Sequence, residues 1–265
     1  MMCCWRAIRK LFVPSIILLC GTCVIKLQFS KLADILGQAD STKSKIEYLQ
    51  VLDKEKASLE LLRRSPSFGF DNLIADWTFL RFLQYFGDGN ARNYTGYALS
   101  PDYFEVIVDR DPKFVKPYLL LSISTSLYAG QAHRTVALMD KGLQSLSSQS
   151  NFDSYLVWIY KATDELLFLG DTKAAQQSYM QGAKLAFTSG DPSMRSIGAV
   201  AAKTAKFLDR NPDSKRAQVN AWLMVLSNAV DDATRQRALS HIKKLGGQVL
   251  VGDNNTVDVK LPAGD

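Results

Sequence analysis

The sequence predicts an all-α fold: a stack of helical hairpins behind an N-terminal transmembrane helix, closed by a small C-terminal β-hairpin. Three observations carry this. The stretch Gly130 to Gly142, GQAHRTVALMDKG, and the stretch Gly170 to Gly182, GDTKAAQQSYMQG, share one pattern at an offset of 40 residues: glycine, a small residue five on, a bulky residue nine on and glycine twelve on. Nearly every other segment between residues 31 and 246 sets apolar side chains at helical spacing. The run Leu11 to Ile25, LFVPSIILLCGTCVI, carries no charge.

Taken in order, the basic WRAIRK and the apolar run that follows read as the n-region and h-region of a signal anchor covering residues 1–30. Fifteen residues fall short of the roughly 20 that span a bilayer, but Lys26 can snorkel and add Leu27 and Phe29 to the span. No small-residue cleavage site follows, so the segment is expected to stay on the protein as a single pass. The positive charges before it favour a cytoplasmic N-terminus, with the soluble part in a periplasm or lumen. Residues 31–69 form an amphipathic helical linker with Ile46, Leu49, Leu52 and Leu59 to Leu62 on its apolar side, stopped by Pro66 and Gly69. DNLIADWTFLRFLQYFG then reads as a helix capped by Asp71 or Asn72, whose wide apolar face implies burial on more than one side. A loop from Gly87 to about Ser100 follows, then a short helix ending before Asp111-Pro112.

Two alike units come next. VKPYLLLSISTSLYAG pairs with GQAHRTVALMDKGLQSL, and SYLVWIYKATDELLFLG with DTKAAQQSYMQGAKLAF, each pair joined at a glycine that can take positive φ. Helices entered at Asp191-Pro192 and Asn211-Pro212 and a last one ending at Gly246-Gly247 complete a repeat domain over residues 70–246. Residues 247–265 change period to two, with Val249 and Val251 set against Val257, Val259 and Leu261 across a GDNN turn.

The pattern from Gly170, with Ala175, Tyr179 and Gly182, resembles the second helix of the tetratricopeptide repeat family; the stretch from Gly130 supplies Gly130 and Gly142 but carries Thr135 and Met139 between them. Trp77, Leu80, Phe104 and Pro112 match the spacing of an earlier, interrupted unit. Two departures stand out: Pro192 follows Gly182 at ten residues rather than five, and the 40-residue offset exceeds the family period of about 34. The resemblance covers about residues 70 to 190. The whole-chain pattern is also similar to membrane-anchored repeat proteins of bacteria and cyanobacteria.

Composition excludes other classes. Of the net charge of +6, residues 1–30 hold +4, and the remainder is interspersed, so no nucleic-acid surface is expected. All four cysteines (Cys3, Cys4, Cys20 and Cys23) lie in the first 23 residues and read as membrane-segment residues rather than a redox or metal site. His133 and His241 have no nucleophile beside them, Asp109 with Asp111 and Asp164 with Glu165 read as ordinary helix carboxylates, and no phosphate loop, dinucleotide fingerprint or HExxH occurs. GDGN at Gly87 and GDNN at Gly252 lack a calcium loop's spaced acids. No catalytic residue, cofactor, metal or small-molecule substrate is expected.

The resemblance implies a protein-protein interaction scaffold, tethered to a membrane and serving membrane-associated protein partners, in assembly or maintenance of multisubunit complexes; in a cyanobacterium-like setting these would be photosynthetic complexes of the thylakoid. In the family's register Ser124, Tyr160 and Asp164 face the binding groove. The alternative is a permanent, non-catalytic subunit that docks through the aromatic face from Trp77 to Phe86.

Overall fold

A computed structural model describes residues 18–26, 28–29, 44–146, 154–229, 232–251 and 257–262. It is all-α in class. Residues 18–26 (α1) are helical, with Cys20 and Cys23 as free, exposed thiols. No helix among the described residues is long and apolar enough to cross a membrane; most of the expected anchor lies outside the described residues.

The helices that follow are α2 (Lys45–Arg64), α3 (Asp71–Gly87), α4 (Gly89–Thr95), α5 (Ser100–Arg110), α6 (Pro117–Leu121), α7 (Ala132–Leu146), α8 (Ser154–Asp164), α9 (Thr172–Thr188), α10 (Pro192–Arg210), α11 (Lys215–Ser227) and α12 (Asp232–Lys244). Strands β1 (Gln248–Val251) and β2 (Val257–Lys260) pair antiparallel, Val249 opposite Val259 and Val251 opposite Val257; their connection lies outside the described residues. The chain divides into Met1–Val51 and Leu52–Asp265. In the first, Ser44 and Glu47 form a capping box at the start of α2, each accepting from the other's backbone N–H.

In the second unit, neighbouring helices pair: α3 against α5, α8 against α9, α9 against α10, and α11 against α12. Three apolar cores succeed one another. The first gathers Leu59, Phe82, Phe104, Tyr118, Leu121 and Met139; the second is built on Tyr155, Ile159, Tyr179 and the alanines of α9 to α11; the third centres on Val219, Trp222 and Ile242.

Four expectations are corrected here. Residues 52–69 are no linker: Leu59 is buried, Arg81 bonds Ser58 and Glu55 at 3.0 and 2.6 Å, and Tyr103 donates to Glu55, so this part of α2 belongs to the first core. The Gly87–Ser100 loop contains α4, because Asp88 caps it by accepting from the Ala91 N–H. Neither Asp71 nor Asn72 caps α3: the helix begins at Asp71, without a side-chain cap, since the Asp71 carboxylate is engaged by Ser67 and Arg110. Those hydrogen bonds, with Ser67 first, hold its pKa below the ordinary value. Finally, α3 buries one face only, Ala75, Thr78, Phe82 and Tyr85, and leaves Leu73, Trp77 and Leu80 exposed.

Arg110 fixes the α2–α3 turn. Its guanidinium reaches the carbonyls of Leu62 (2.6 Å), Arg63 (3.1 Å) and Ser65 (2.5 Å), which are left open where α2 ends, and Asp71 at 3.0 Å. Arg110→Met removes all these donors at once and is expected to destabilise the protein by roughly 2–3 kcal/mol. Urea unfolding measures it, and an unchanged midpoint would show that solvent replaces the guanidinium. Further ties join α2, α5 and α7: Arg63 lies 2.8 Å from Glu105 and 3.5 Å from Asp109, Arg134 lies 2.7 and 2.6 Å from Asp102 and Glu105, and Lys141 pairs with Asp109.

Candidate interaction site

The repeat seen in the sequence is also a repeat of backbone geometry. α6 continues into a π-helical segment, Ser122–Tyr128, and α8 into another, Glu165–Leu169. Gly130 and Gly170 both have φ of +67°, which an L side chain rarely adopts. The closing hydrogen bonds correspond as well: Gln131 N–H donates to the Thr125 carbonyl and Asp171 N–H to the Glu165 carbonyl, each at 2.9 Å and 40 residues apart. Gly142 and Gly182 mark the closest approaches within the units. A Cβ on Gly142 would lie 1.8 Å from the Tyr118 hydroxyl, and one on Gly182 3.3 Å from the Cβ of Trp158, the residue equivalent to Tyr118. Ala175 and Tyr179 are buried beside them in the second core.

Where the first π-helical segment packs against α8, the interior is polar. Ser122 donates to Asp164 at 2.8 Å, and Asp164 and Glu165 are both buried. Lys161 lies 3.1 Å from Glu165 and 2.9 Å from Asp140. Asp164 Oδ2, Glu165 Oε2 and the hydroxyls of Ser124 and Thr125 have no hydrogen-bond partner. Burial pushes the Asp164 carboxyl up to about 7, aided by the charge of Glu165 and opposed by Ser122 and Ser126. Desolvation pulls the Lys161 ammonium down, but Asp140 and Glu165 outweigh it and hold it above the usual lysine value. π-helical turns recur at functional sites because they re-aim side chains and carbonyls; here they bring two acids and a serine-rich stretch together.

Tyr179 connects this layer to the surface. Its hydroxyl is 3.2 Å from the Thr163 hydroxyl, and desolvation raises it to about 12. Its ring lies with Ile159 at the floor of an open groove of about 280 Å³ whose walls are Ile197, Val200 and Ala201 of α10 and Ala217, Ala221 and Met224 of α11. Val200 is 65% exposed although apolar. Residues 197, 200, 201 and 204 on α10, and 217, 220, 221 and 224 on α11, each share one helix face. Ser196, Thr204 and Asn220 are polar members able to orient a ligand. No protein-family model, curated protein or solved structure matches the chain. The reading of the site therefore rests on its geometry.

That geometry redistributes the expected groove residues. Ser124 and Asp164 are fully buried and belong to the polar layer, while Tyr160 is half-buried against the first core. The serine that bonds Asp164 is Ser122, not Ser124, and Tyr160 packs against the first core. His133 is exposed on α7. His241 stacks on Trp222 at 4.2 Å, its pKa lowered by desolvation and by Lys244 and Arg237. Asp109 is an ion-pair partner of Arg63 and Lys141. A second cleft, of about 420 Å³ between α2 and α5, is lined by Asp102 and Glu105, whose carboxylates already face Arg134. Sequence reading missed Lys161 and the groove walls and took Glu165 for an ordinary helix carboxylate. SISTS inside an otherwise apolar helix was the available signal for the polar layer, and alanines at helical spacing on α10 and α11 were the one for the groove.

Proposed function

We propose that this chain is a membrane-tethered, tetratricopeptide-like scaffold that binds an amphipathic segment of a membrane-associated protein, without catalysis of its own. The observation that carries this is the α10–α11 groove, an apolar, open trough with exposed Val200 and Ile197, lined by small side chains that let another backbone approach. A groove of this kind suits a helix that anchors through residues at i, i+3 and i+4. The uncharged run Leu11 to Ile25 supports the tether, which raises the effective concentration of a membrane client so that modest groove affinity suffices. Assembly or maintenance of a membrane complex, including a photosynthetic one, is a role consistent with such a scaffold.

Two measurements test this. Protease protection on sealed vesicles of both orientations should show digestion from the non-cytoplasmic face alone; digestion from the other face would reverse the assigned sidedness. A photoreactive amino acid at position 200 of the full chain should crosslink a membrane-associated protein. Val200→Arg should weaken binding of that protein about tenfold or more while leaving the helical signal unchanged, because Val200 is exposed and its loss creates no cavity. Equal binding by the variant would remove the groove from the assignment.

A further inference from the structure

We propose that the segment held between α10 and α11 is an acidic amphipathic helix, whose carboxylates meet Lys203 and Arg210 along the edge of α10 while its apolar face fills the trough. This rests on the groove reading above and adds the sign of the partner's charge. None of the residues lining the groove is charged, so charge can enter only at its edges. Those edges belong to the basic part of the chain. Beyond residue 30 acids and bases nearly balance, yet α10 carries Arg195, Lys203, Lys206 and Arg210, and α11 carries Lys215 and Arg216, against one acid, Asp209. Asp209 is occupied, accepting from Gln176 of α9 at 3.0 Å. One further acid, Asp213, lies in the turn between the two helices.

Lys203 and Arg210 are placed to meet a ligand. Ser196 lines the groove, and positions 203 and 210 follow it at steps of seven residues, about two helical turns each. The three therefore run along one edge of α10, beside Val200 and Thr204. Both cations are exposed, and neither forms an ion pair or hydrogen bond among the described residues. Other bases on these helices are less available: Arg195 reaches the Gly190 carbonyl at 3.4 Å, and Arg216 is engaged within the chain. Two free cations about 10 Å apart along the edge of an uncharged trough complement carboxylates two turns apart on the flank of a docked helix. Anionic lipid headgroups carry the same sign, but a face that lies on a bilayer presents large apolar side chains to be lowered among the acyl chains. Here the apolar groups line a recess, and its walls include Ala201, Ala217 and Ala221, small enough for a peptide backbone to come close.

The test uses the full chain in micelles of an uncharged detergent and three labelled synthetic helices of about 18 residues. All three carry one stripe of leucine and alanine at i, i+3, i+4 and i+7, and differ only in flanks of Glu, Gln or Lys. At low salt the Glu-flanked helix should bind about tenfold tighter than the Gln-flanked one, and the Lys-flanked helix more weakly than either, with the differences shrinking at high salt. Replacing both cations, Lys203→Glu with Arg210→Glu, should reverse the order of the Glu- and Lys-flanked helices at unchanged helical signal, because both side chains are exposed. A folding defect would instead weaken all three alike. Val200→Arg is the control for the groove itself and should weaken the Gln-flanked helix, whose binding owes nothing to charge. If it does so while wild type binds all three equally, the acidic partner is overturned and the groove reading stands; if it changes nothing, or no helix binds, both fall. In nanodiscs containing phosphatidylglycerol, a photoreactive residue at position 204 should label the Glu-flanked helix. Adducts to that lipid in its place would overturn the proposal in favour of a membrane surface.

Discussion

Replacing Gly142 by alanine is expected to destabilise the protein by roughly 2–3 kcal/mol, the range for overpacking a filled interior. Alanine by itself favours a helix over glycine by about 1 kcal/mol, so the sign depends on what the new methyl group meets. It meets the Tyr118 ring, with Cζ at 2.6 Å and the hydroxyl at 1.8 Å. Tyr118 has little room to withdraw, being 1% exposed with its hydroxyl bonded to the Pro112 carbonyl at 3.0 Å. Gly182→Ala is the internal control. Its nearest atoms are 3.1 to 3.3 Å away, tight enough only to offset the gain in propensity, and its effect should stay within about 1 kcal/mol. Urea unfolding of both variants reads the difference. Equal effects would mean that the α6–α7 and α8–α9 contacts are not the distinct approaches described, and partial recovery of Gly142→Ala by Tyr118→Phe would localise the clash to the hydroxyl.

Asp164→Asn is expected to stabilise the protein at pH 8 by up to about 4 kcal/mol and to change it little near pH 4. Burial raises this carboxyl from 3.8 to about 7 in the folded chain. Between those values the folded state keeps a proton that the unfolded state has lost. Stability from this group is therefore complete at low pH, declines as pH rises from about 4, and levels off above about 7. Asparagine copies the protonated form and removes the slope. Denaturant titrations of wild type and variant across this window should diverge with pH; parallel curves would show that Asp164 is ionised throughout and that Lys161 or solvent reaches it.

The helical hairpins were legible because they depend on local chemistry. Gly130 and Gly170 take a backbone conformation that excludes side chains, and a glycine twelve residues later clears the way for Tyr118 or Trp158. What was not legible depends on the third dimension. The width of the apolar face on α3 said that many large groups were present, but not that Leu73, Trp77 and Leu80 would find no cover within the protomer. The π-helical turns have no composition of their own, so transferring a family register to Ser124 and Asp164 placed them in a groove when both are fully buried. The groove itself opens between α10 and α11 above Ile159 and Tyr179, and periodicity does not record how two helices meet.

The ties among α2, α3, α5 and α7 have a mechanical consequence. Tension applied at the N-terminus enters the Leu52–Asp265 unit through α2. There it meets Glu55, Arg63 and the carbonyls of Leu62 and Ser65, each bonded to a group on another helix: Arg81, Glu105 or Arg110. These bonds fix α2 at residues 55, 62, 63 and 65, so stripping it away requires breaking all of them. The half-exposed Arg63–Glu105 pair adds little to equilibrium stability, yet together with the Arg81 and Arg110 bonds it would set the force at which α2 is stripped from the first core.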